Sequence, residues 1–324
     1  MRAMVARTFS GYGGLQQTEL AVPQPAKDKV LVRITAAGVT PLDHTILTGG
    51  HPRAKPPLVL GNEGAGVIED AGDSGFAVGN RVMFTGPYGV SENGTWEEWL
   101  LARPEHLALV PQALTDGVAA SIPVAYLTAQ VTLTLAGFKP GMTVLAPGIG
   151  GSVGNATYQL ARAQGASQVI STAGSAAKAA KARELGFEGV IDLTAEGLAE
   201  GVRRITAGKG ADIVIESIGG TVTSEALSSL ALGGVLITLG YSAGRKATID
   251  VTDLIWKRAR MAGFSLFAQT PAAIAAAWRD ILALIDSGSV TPIVERIYPL
   301  GEASEALRHL IEDRPFGKVV LAGR

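Results

Sequence analysis

The chain has 324 residues, 47% of them hydrophobic and 18% charged, with a net charge of −1. That length suits about two domains with sizeable cores, and the near-neutral balance excludes a general pull toward nucleic acid or an anionic membrane surface. Cysteine is absent, which excludes disulfides, thiolate nucleophiles, iron–sulfur clusters and Cys-ligated zinc.

No apolar stretch reaches the roughly 18 residues of a membrane span. The opening MRAMVARTFSGYGG lacks the apolar run of a secretory signal, so a cytoplasmic protein is expected. Residues 1–122 carry short β-like runs between Gly and Pro, such as Lys29–Ile34, Gly64–Glu69 and Asn80–Phe84. They read as a β-rich domain. Residues 123–265 alternate between strand and helix patterns. Strands are expected at Thr143–Ala146, Gln168–Thr172, Gly189–Ile191, Ala211–Ser217 and Gly234–Leu239. Helices are expected at Val153–Gln164, Ala176–Leu185, Leu198–Thr206 and Val222–Leu230. This alternation predicts a doubly wound parallel sheet covered on both faces, an α/β fold of the Rossmann type. Residues 266–324 are expected to return to the first domain. They carry an Ala-rich helix from Pro271 to Ser287, a strand near Ile293–Tyr298, a helix near Glu302–Glu312 and a strand at Lys318–Leu321.

The first expected strand of the α/β domain leads into Gly148-Ile149-Gly150-Gly151-Ser152-Val153-Gly154. A tight turn, a close approach to a pyrophosphate and the packing of a helix on a strand each favour a residue without a side chain. The following helix start adds free amides and partial positive charge for the phosphates. A Gly-rich turn alone is weak; between a strand and a helix within repeated βα units it predicts a dinucleotide site. Gly148, Gly151, Ser152, Val153 and Gly154 are its candidate contacts.

An NAD site usually ends its second strand in Asp or Glu, for the ribose hydroxyls. Here that strand runs into Ile170-Ser171-Thr172-Ala173-Gly174-Ser175, and no carboxylate occurs from Gly117 to Arg183. Ser171, Thr172, Ser175 and Lys178 would instead welcome a 2′-phosphate, so NADP(H) is the expected cofactor. Lys181 reads as an ordinary solvated helix residue. Further candidate cofactor contacts are Thr128, Ser217, Gly240, Ser242, Phe267 and Lys318.

Ala36–Asp43 resembles the "AAGVNPxD" stretch of a known family, Pro57–Val67 its "PxxxGxEGAGxV" and Val78–Val82 its "VGDRV". Gly208–Asp212 and Glu216–Gly220 match the surroundings of its fourth strand. On these motifs the chain resembles, over nearly its full length, the zinc-free medium-chain dehydrogenase/reductases of the quinone oxidoreductase type. The resemblance implies a GroES-like substrate domain wrapped around a Rossmann domain, with the active site between them. Where the zinc enzymes of that superfamily carry Cys, His and Cys, this chain has Thr40, Asn62 and a position near Val124, none able to replace a thiolate or imidazole. His44, His51, His106 and His309 are scattered without ligand spacing and read as surface or hydrogen-bonding residues.

Without a Lewis acid for an alkoxide, the expected reaction is NADPH-dependent reduction of a quinone, or of the C=C bond of an α,β-unsaturated carbonyl. The alternatives are an enoyl-thioester or alkenal reductase, and a non-catalytic NADPH-binding structural or RNA-associated protein. Nothing basic or aromatic-interleaved supports nucleic-acid binding. In the family pattern an Asn stands at the position of Thr40 and a Tyr near Thr45; both differ here. Thr40, Asn62 and Tyr241 are the candidate hydrogen-bond donors to substrate, with Tyr126 a further candidate acid. Asp43 reads as an internal salt-bridge or capping residue. The apolar run Met261–Phe267 suggests pairing of two copies, a homodimer acting on a small hydrophobic carbonyl or quinone.

Overall fold

The computed structural model describes residues 1–323, which fall into two compact units, Met1–Val124 with the C-terminal stretch from Pro292, and Ala125–Thr291. In chain order the first unit opens with β1 (Arg2–Ala6), β2 (Leu15–Glu19), β3 (Val30–Val39), α1 (Pro41–Leu47), β4 (Leu58–Val59), β5 (Glu63–Asp70), β6 (Arg81–Thr85), β7 (Trp99–Ala102), β8 (Leu107–Leu109) and α2 (Asp116–Ala119). Helix α3 (Pro123–Leu135) begins at the boundary. The second unit continues with β9 (Thr143–Ala146), α4 (Ser152–Ala163), β10 (Gln168–Ala173), α5 (Ala176–Glu184), β11 (Val190–Asp192), α6 (Leu198–Ile205), β12 (Ala211–Glu216), α7 (Thr221–Ser228), β13 (Leu230–Thr238), α8 (Val251–Lys257), β14 (Arg260–Gly263) and α9 (Pro271–Asp286). The tail supplies β15 (Val294–Pro299), α10 (Ala303–Arg308) and β16 (Lys318–Ala322).

The second unit is a six-stranded parallel sheet in the order β11-β10-β9-β12-β13-β14, the strand order of a dinucleotide-binding fold. Its central strands are buried along their length, as strands covered on both faces must be; Val144, Leu145 and Ala146 of β9 are all inside. One face packs Leu145, Ile170 and Val214 against Leu198, Val202, Ala226 and Leu227 of α6 and α7. The chain reverses direction across the sheet between β9 and β12, so the loops after these two strands open on the crevice where such sheets bind ligands.

The first unit holds a larger sheet, β15-β16-β3-β5-β6-β8 with β7 also on β3, and a small one, β2-β1-β4. Apart from the parallel pair β15–β16, its ladders are antiparallel. Strands β1 and β2 fall in a stretch where the residue pattern singles out no strand.

The return to the first unit, expected at residue 266, occurs only at Pro292. The reason is α9. It buries Ala277, Trp278, Ile281 and Ile285, and its Asp280 accepts a hydrogen bond from Gln130 of α3 at 3.2 Å. The Thr291 amide donates to Gln159 of α4 at 2.7 Å. Of the apolar run Met261–Phe267 only the start is strand, for β14 ends at Gly263 and Phe267 lies in a 3-10 turn. Among the described residues no helix is long and apolar enough to cross a membrane.

Candidate active site

Three loops of the second unit build a candidate cofactor site. After β9 the chain turns at Gly148, whose φ of +84° suits glycine alone at low cost. Its amide donates to Thr172 Oγ1 at 3.0 Å, and the Ile149 amide donates to the Thr172 carbonyl at 2.9 Å. Gly151 caps α4, and its amide donates to the Gly148 carbonyl at 2.9 Å. At Gly154 a Cβ would lie 2.4 Å from the Gly148 carbonyl oxygen and 2.7 Å from that of Pro147. Only glycine lets the helix sit this close to its own loop.

The first intrahelical bond here is from Asn155 to Gly151, so the amides of Ser152, Val153 and Gly154 have no acceptor within α4. They lie at the positive end of a helix of 12 residues, a geometry that receives phosphate oxygens. The loop therefore fits the pyrophosphate of a dinucleotide.

The second loop corrects part of the sequence reading. Ser171 is fully buried and its hydroxyl donates to the Ala146 carbonyl. It ties β10 to β9 and offers no surface to a ligand. Thr172, also buried, supports the Gly148 turn. Ser175 caps α5, accepting the Lys178 amide at 3.3 Å, and the Lys178 side chain stands half-exposed in the first turn. Of the four residues expected near a 2′-phosphate, Ser175 and Lys178 are the two that are not buried.

The third loop follows β12 and turns on Glu216. Its buried carboxylate accepts the amides of Ile218 and Gly219, the latter at 2.7 Å, and the hydroxyls of Thr223 at 2.9 Å and Thr238 at 3.1 Å. Together these bonds tie the β12 loop to α7 and β13. Gly240 passes so near that its Cβ would lie 1.9 Å from the Ser217 carbonyl oxygen. Ser217 is half-buried, and Ser242 is exposed with its hydroxyl 3.3 Å from the Ile218 carbonyl. Tyr241 is 43% exposed, with the Arg245 guanidinium 5.6 Å from its ring centre. Tyr126 and Thr128 lie buried in α3. Gln159 Nε2 lies 3.3 Å from the Tyr126 hydroxyl, and burial pushes that hydroxyl above its usual range. Phe267 is half-buried in its 3-10 turn.

The first unit contributes a separate network. Thr40 is the N-cap of α1, Pro41 opens the helix, and the Asp43 carboxylate reaches back to accept the Thr40 amide at 2.7 Å. The same Oδ2 accepts the Thr40 hydroxyl at 2.7 Å, while Oδ1 accepts the Gly61 amide at 3.0 Å. Burial pushes Asp43 up to about 6, although these hydrogen bonds and Lys318 pull the other way. Gly61 has a φ of +94° and a Cβ there would strike the Trp96 ring, so the backbone entering Asn62 is fixed. The Asn62 carbonyl accepts Thr85 Oγ1 at 2.7 Å, and its side-chain oxygen lies 3.3 Å from Thr40 Oγ1. Among the described residues the Asn62 amide nitrogen has no partner within hydrogen-bond reach. Asn62 is itself buried, and this nitrogen is the end of the amide that no described residue engages, whereas Thr40, expected as a donor, already faces Asp43.

Lys318, expected at the cofactor, is buried and forms an ion pair with the buried Glu63. The other Glu63 oxygen accepts the Val124 amide at 2.7 Å. A lysine so enclosed and neutralised offers nothing to a phosphate.

Two family profiles match the chain, "Alcohol dehydrogenase GroES-like domain" over residues 26–112 and "Zinc-binding dehydrogenase" over residues 152–287. The quinone oxidoreductase of Rattus norvegicus is 30% identical over 328 residues, spanning 99% of this chain and 97% of that protein. The chain belongs to the quinone oxidoreductase family. Within this family of medium-chain dehydrogenase/reductases, a crystal structure of the Escherichia coli quinone oxidoreductase complexed with NADPH superposes with a TM-score of 0.89 at 27% identity, over 99% of this chain and 100% of that one. A structure described as an NAD-dependent alcohol dehydrogenase matches equally, with a TM-score of 0.89 and 31% identity over 100% of both chains. Likeness of fold thus leaves the choice of nucleotide to individual side chains.

The residue pattern gave Glu216 and Glu63 no role, whereas Asp43, expected as a capping residue, does close the capping box of α1. Glu216 carried one usable signal, a carboxylate ending an apolar strand just before Gly219-Gly220. Asp43, three residues after Thr40, was legible as a capping residue, but its bond to Gly61 was not, and Glu63 carried no signal, because its partners Lys318 and Val124 lie far away in the chain.

Proposed function

We propose that this oxidoreductase uses NADPH to reduce a quinone or the conjugated C=C bond of an α,β-unsaturated carbonyl, without zinc. One observation carries the reading. The open helix start behind Gly148–Gly154 stands next to a β10 end bearing Ser175 and Lys178 and no carboxylate. The three unpaired amides hold a pyrophosphate. Ser175 and Lys178 receive a 2′-phosphate that an acidic residue would repel. NADPH, when bound, supplies a hydride.

The chain's own part is to hold the acceptor and stabilise the charge that develops on its oxygen. The Asn62 amide nitrogen is our candidate donor. Such a donor contributes about 2.7–4 kcal/mol in other enzymes. It suffices for charge spread over a conjugated system better than for an alkoxide. Zinc does not fit. Thr40 offers a hydroxyl already bonded to Asp43, Asn62 an amide, and Val124 an isopropyl group, and none is a zinc ligand of the usual kind. Elemental analysis should find well under one zinc per chain.

We further propose a homodimer. Strand β14 is exposed throughout and pairs only with β13 among the described residues. Trp256, 76% exposed, and the exposed Val251 and Ile255 stand on the preceding α8. A bare sheet edge beside apolar side chains invites a second copy.

The test of function is NADPH oxidation against quinones, enones, alkenals and enoyl thioesters, with saturated alcohols run in reverse. Turnover of conjugated acceptors is expected. Efficient oxidation of saturated alcohols, with no reduction of any acceptor, would overturn the proposal.

A further inference from the structure

Thr40 has one hydroxyl hydrogen and two acceptors competing for it. Its Oγ1 lies 2.7 Å from Asp43 Oδ2 and 3.3 Å from the side-chain oxygen of Asn62. A hydroxyl donates once. An ionised Asp43, nearer and charged, takes that hydrogen. Thr40 then presents only lone pairs to Asn62, and the end of the amide that complements lone pairs is its NH2.

The alternative follows from one proton. On Asp43 Oδ2 it would donate to Thr40 Oγ1, while Oδ1 still accepts the Gly61 amide and Oδ2 the Thr40 amide. The Thr40 hydrogen is then released to the Asn62 oxygen, and the amide nitrogen points away, free to donate. The Asn62 backbone does not shift between the two arrangements. Its carbonyl is held by Thr85 and the preceding Gly61 by Asp43. A half-turn of the side-chain amide is the only motion required.

We propose that Asp43 is a positioning residue that sets, through the single hydroxyl hydrogen of Thr40, which end of the Asn62 amide faces the substrate. The inference rests on the reading above that Asn62 stabilises the acceptor's oxygen. Protonated Asp43 turns the NH2 outward, toward developing negative charge. Ionised Asp43 turns the amide oxygen outward, where it opposes that charge. The charged group acting on Asp43 is Lys318 of β16, itself paired with Glu63 of β5. Its other close partners, Thr40 and Gly61, do not titrate near neutrality. With burial lifting Asp43 to about 6, the NH2-outward form gives way as pH rises through that value.

Two measurements test this. The first uses no cofactor: the side-chain amide resonances of Asn62 in 15N-labelled protein, identified by their loss in Asn62→Ala, are followed from pH 5 to pH 8. They should titrate in the parent protein and in Thr40→Ser, which keeps the hydroxyl, and stay still in Thr40→Val. The second is kcat for the best acceptor over the same range. It should fall by about tenfold per pH unit above the transition in the parent and in Thr40→Ser, and be low and flat in Thr40→Val. Failure to reduce any acceptor at any pH would remove the functional reading and leave the resonance test standing. Resonances that do not move in the parent, or that titrate equally in Thr40→Val, would overturn the switch.

Discussion

Replacing Gly154 by alanine tests the glycine loop at its tightest point. The added Cβ would sit 2.4 Å from the Gly148 carbonyl oxygen, where ordinary contact begins at 3.4 Å. Both groups are backbone, so no side chain can swing aside. The first turn of α4 must move about 1 Å from the loop, carrying the amides of Ser152, Val153 and Gly154 with it. Overpacking of this kind costs about 1–3 kcal/mol, or roughly 2–12 °C in Tm for a unit of this size. Displaced amides weaken charge-assisted bonds worth about 1.5–3 kcal/mol each, so NADPH and NADH should both bind at least about tenfold more weakly. Gly151→Ala is the control. Its Cβ would meet only the Gly148 oxygen, at 3.3 Å, and its φ of −83° is open to any residue. Gly151→Ala should therefore keep its Tm, with any binding loss reporting close approach of the phosphate itself. Thermal unfolding and nucleotide fluorescence titration read both quantities. A Gly154→Ala protein with unchanged Tm and unchanged NADPH affinity would refute the packing argument.

Lys178→Glu should weaken NADPH by about tenfold or more, the equivalent of one charged phosphate contact, and leave NADH nearly unchanged; equal losses for the two nucleotides would sink the 2′-phosphate assignment. Glu97 is buried with one carboxylate oxygen lacking a hydrogen-bond partner, and burial pushes it up from 4.5 to about 8. A carboxyl raised in the folded state loses stability as pH rises through that window, by at most about 1.4 kcal/mol per pH unit. Glu97→Gln should flatten the dependence of Tm on pH between 5 and 8, and a slope identical to the parent would show that Glu97 is not its source. Trp256→Glu should convert a dimer to monomers by light scattering, whereas a dimer of unchanged mass would place the interface elsewhere.

The α/β unit was legible because its signals are local. A strand, a glycine loop and a helix start lie within a dozen residues, and glycine spacing reports backbone geometry directly. What stayed hidden depends on direction or on distance. Ser171 and Thr172 sit where phosphate ligands belong in sequence. One faces the sheet and the other supports the loop, and strand alternation alone does not say which face the ligand uses. Lys318 looked like a free cation, because its partner Glu63 lies at the other end of the chain. The boundary near residue 265 was misplaced because Asp280 of α9 accepts its anchoring bond from Gln130, 150 residues earlier. The Asp43 network joins three stretches, around residues 40–43, 61–62 and 85, and beyond the capping spacing of Thr40 and Asp43 no periodicity links them.

The glycine loop and the Asp43 network therefore fail in different ways under substitution. In the second unit the phosphate contacts come from backbone amides, so what matters is whether the backbone can come close. Ser152 and Val153 can change side chain while Gly154 cannot. In the first unit the contacts come from side chains that share too few hydrogens among too many acceptors. There, exchange of near-isosteric residues, Thr40→Val or Asp43→Asn, alters which atoms carry hydrogen without altering shape. A change in volume at residue 40 matters less than a change in hydrogen count. It follows that Thr40→Asn would present an amide with two hydrogens to the same carboxylate. That variant would lose the single-hydrogen competition that couples Asp43 to Asn62, so its pH profile should lack the step expected for the parent protein.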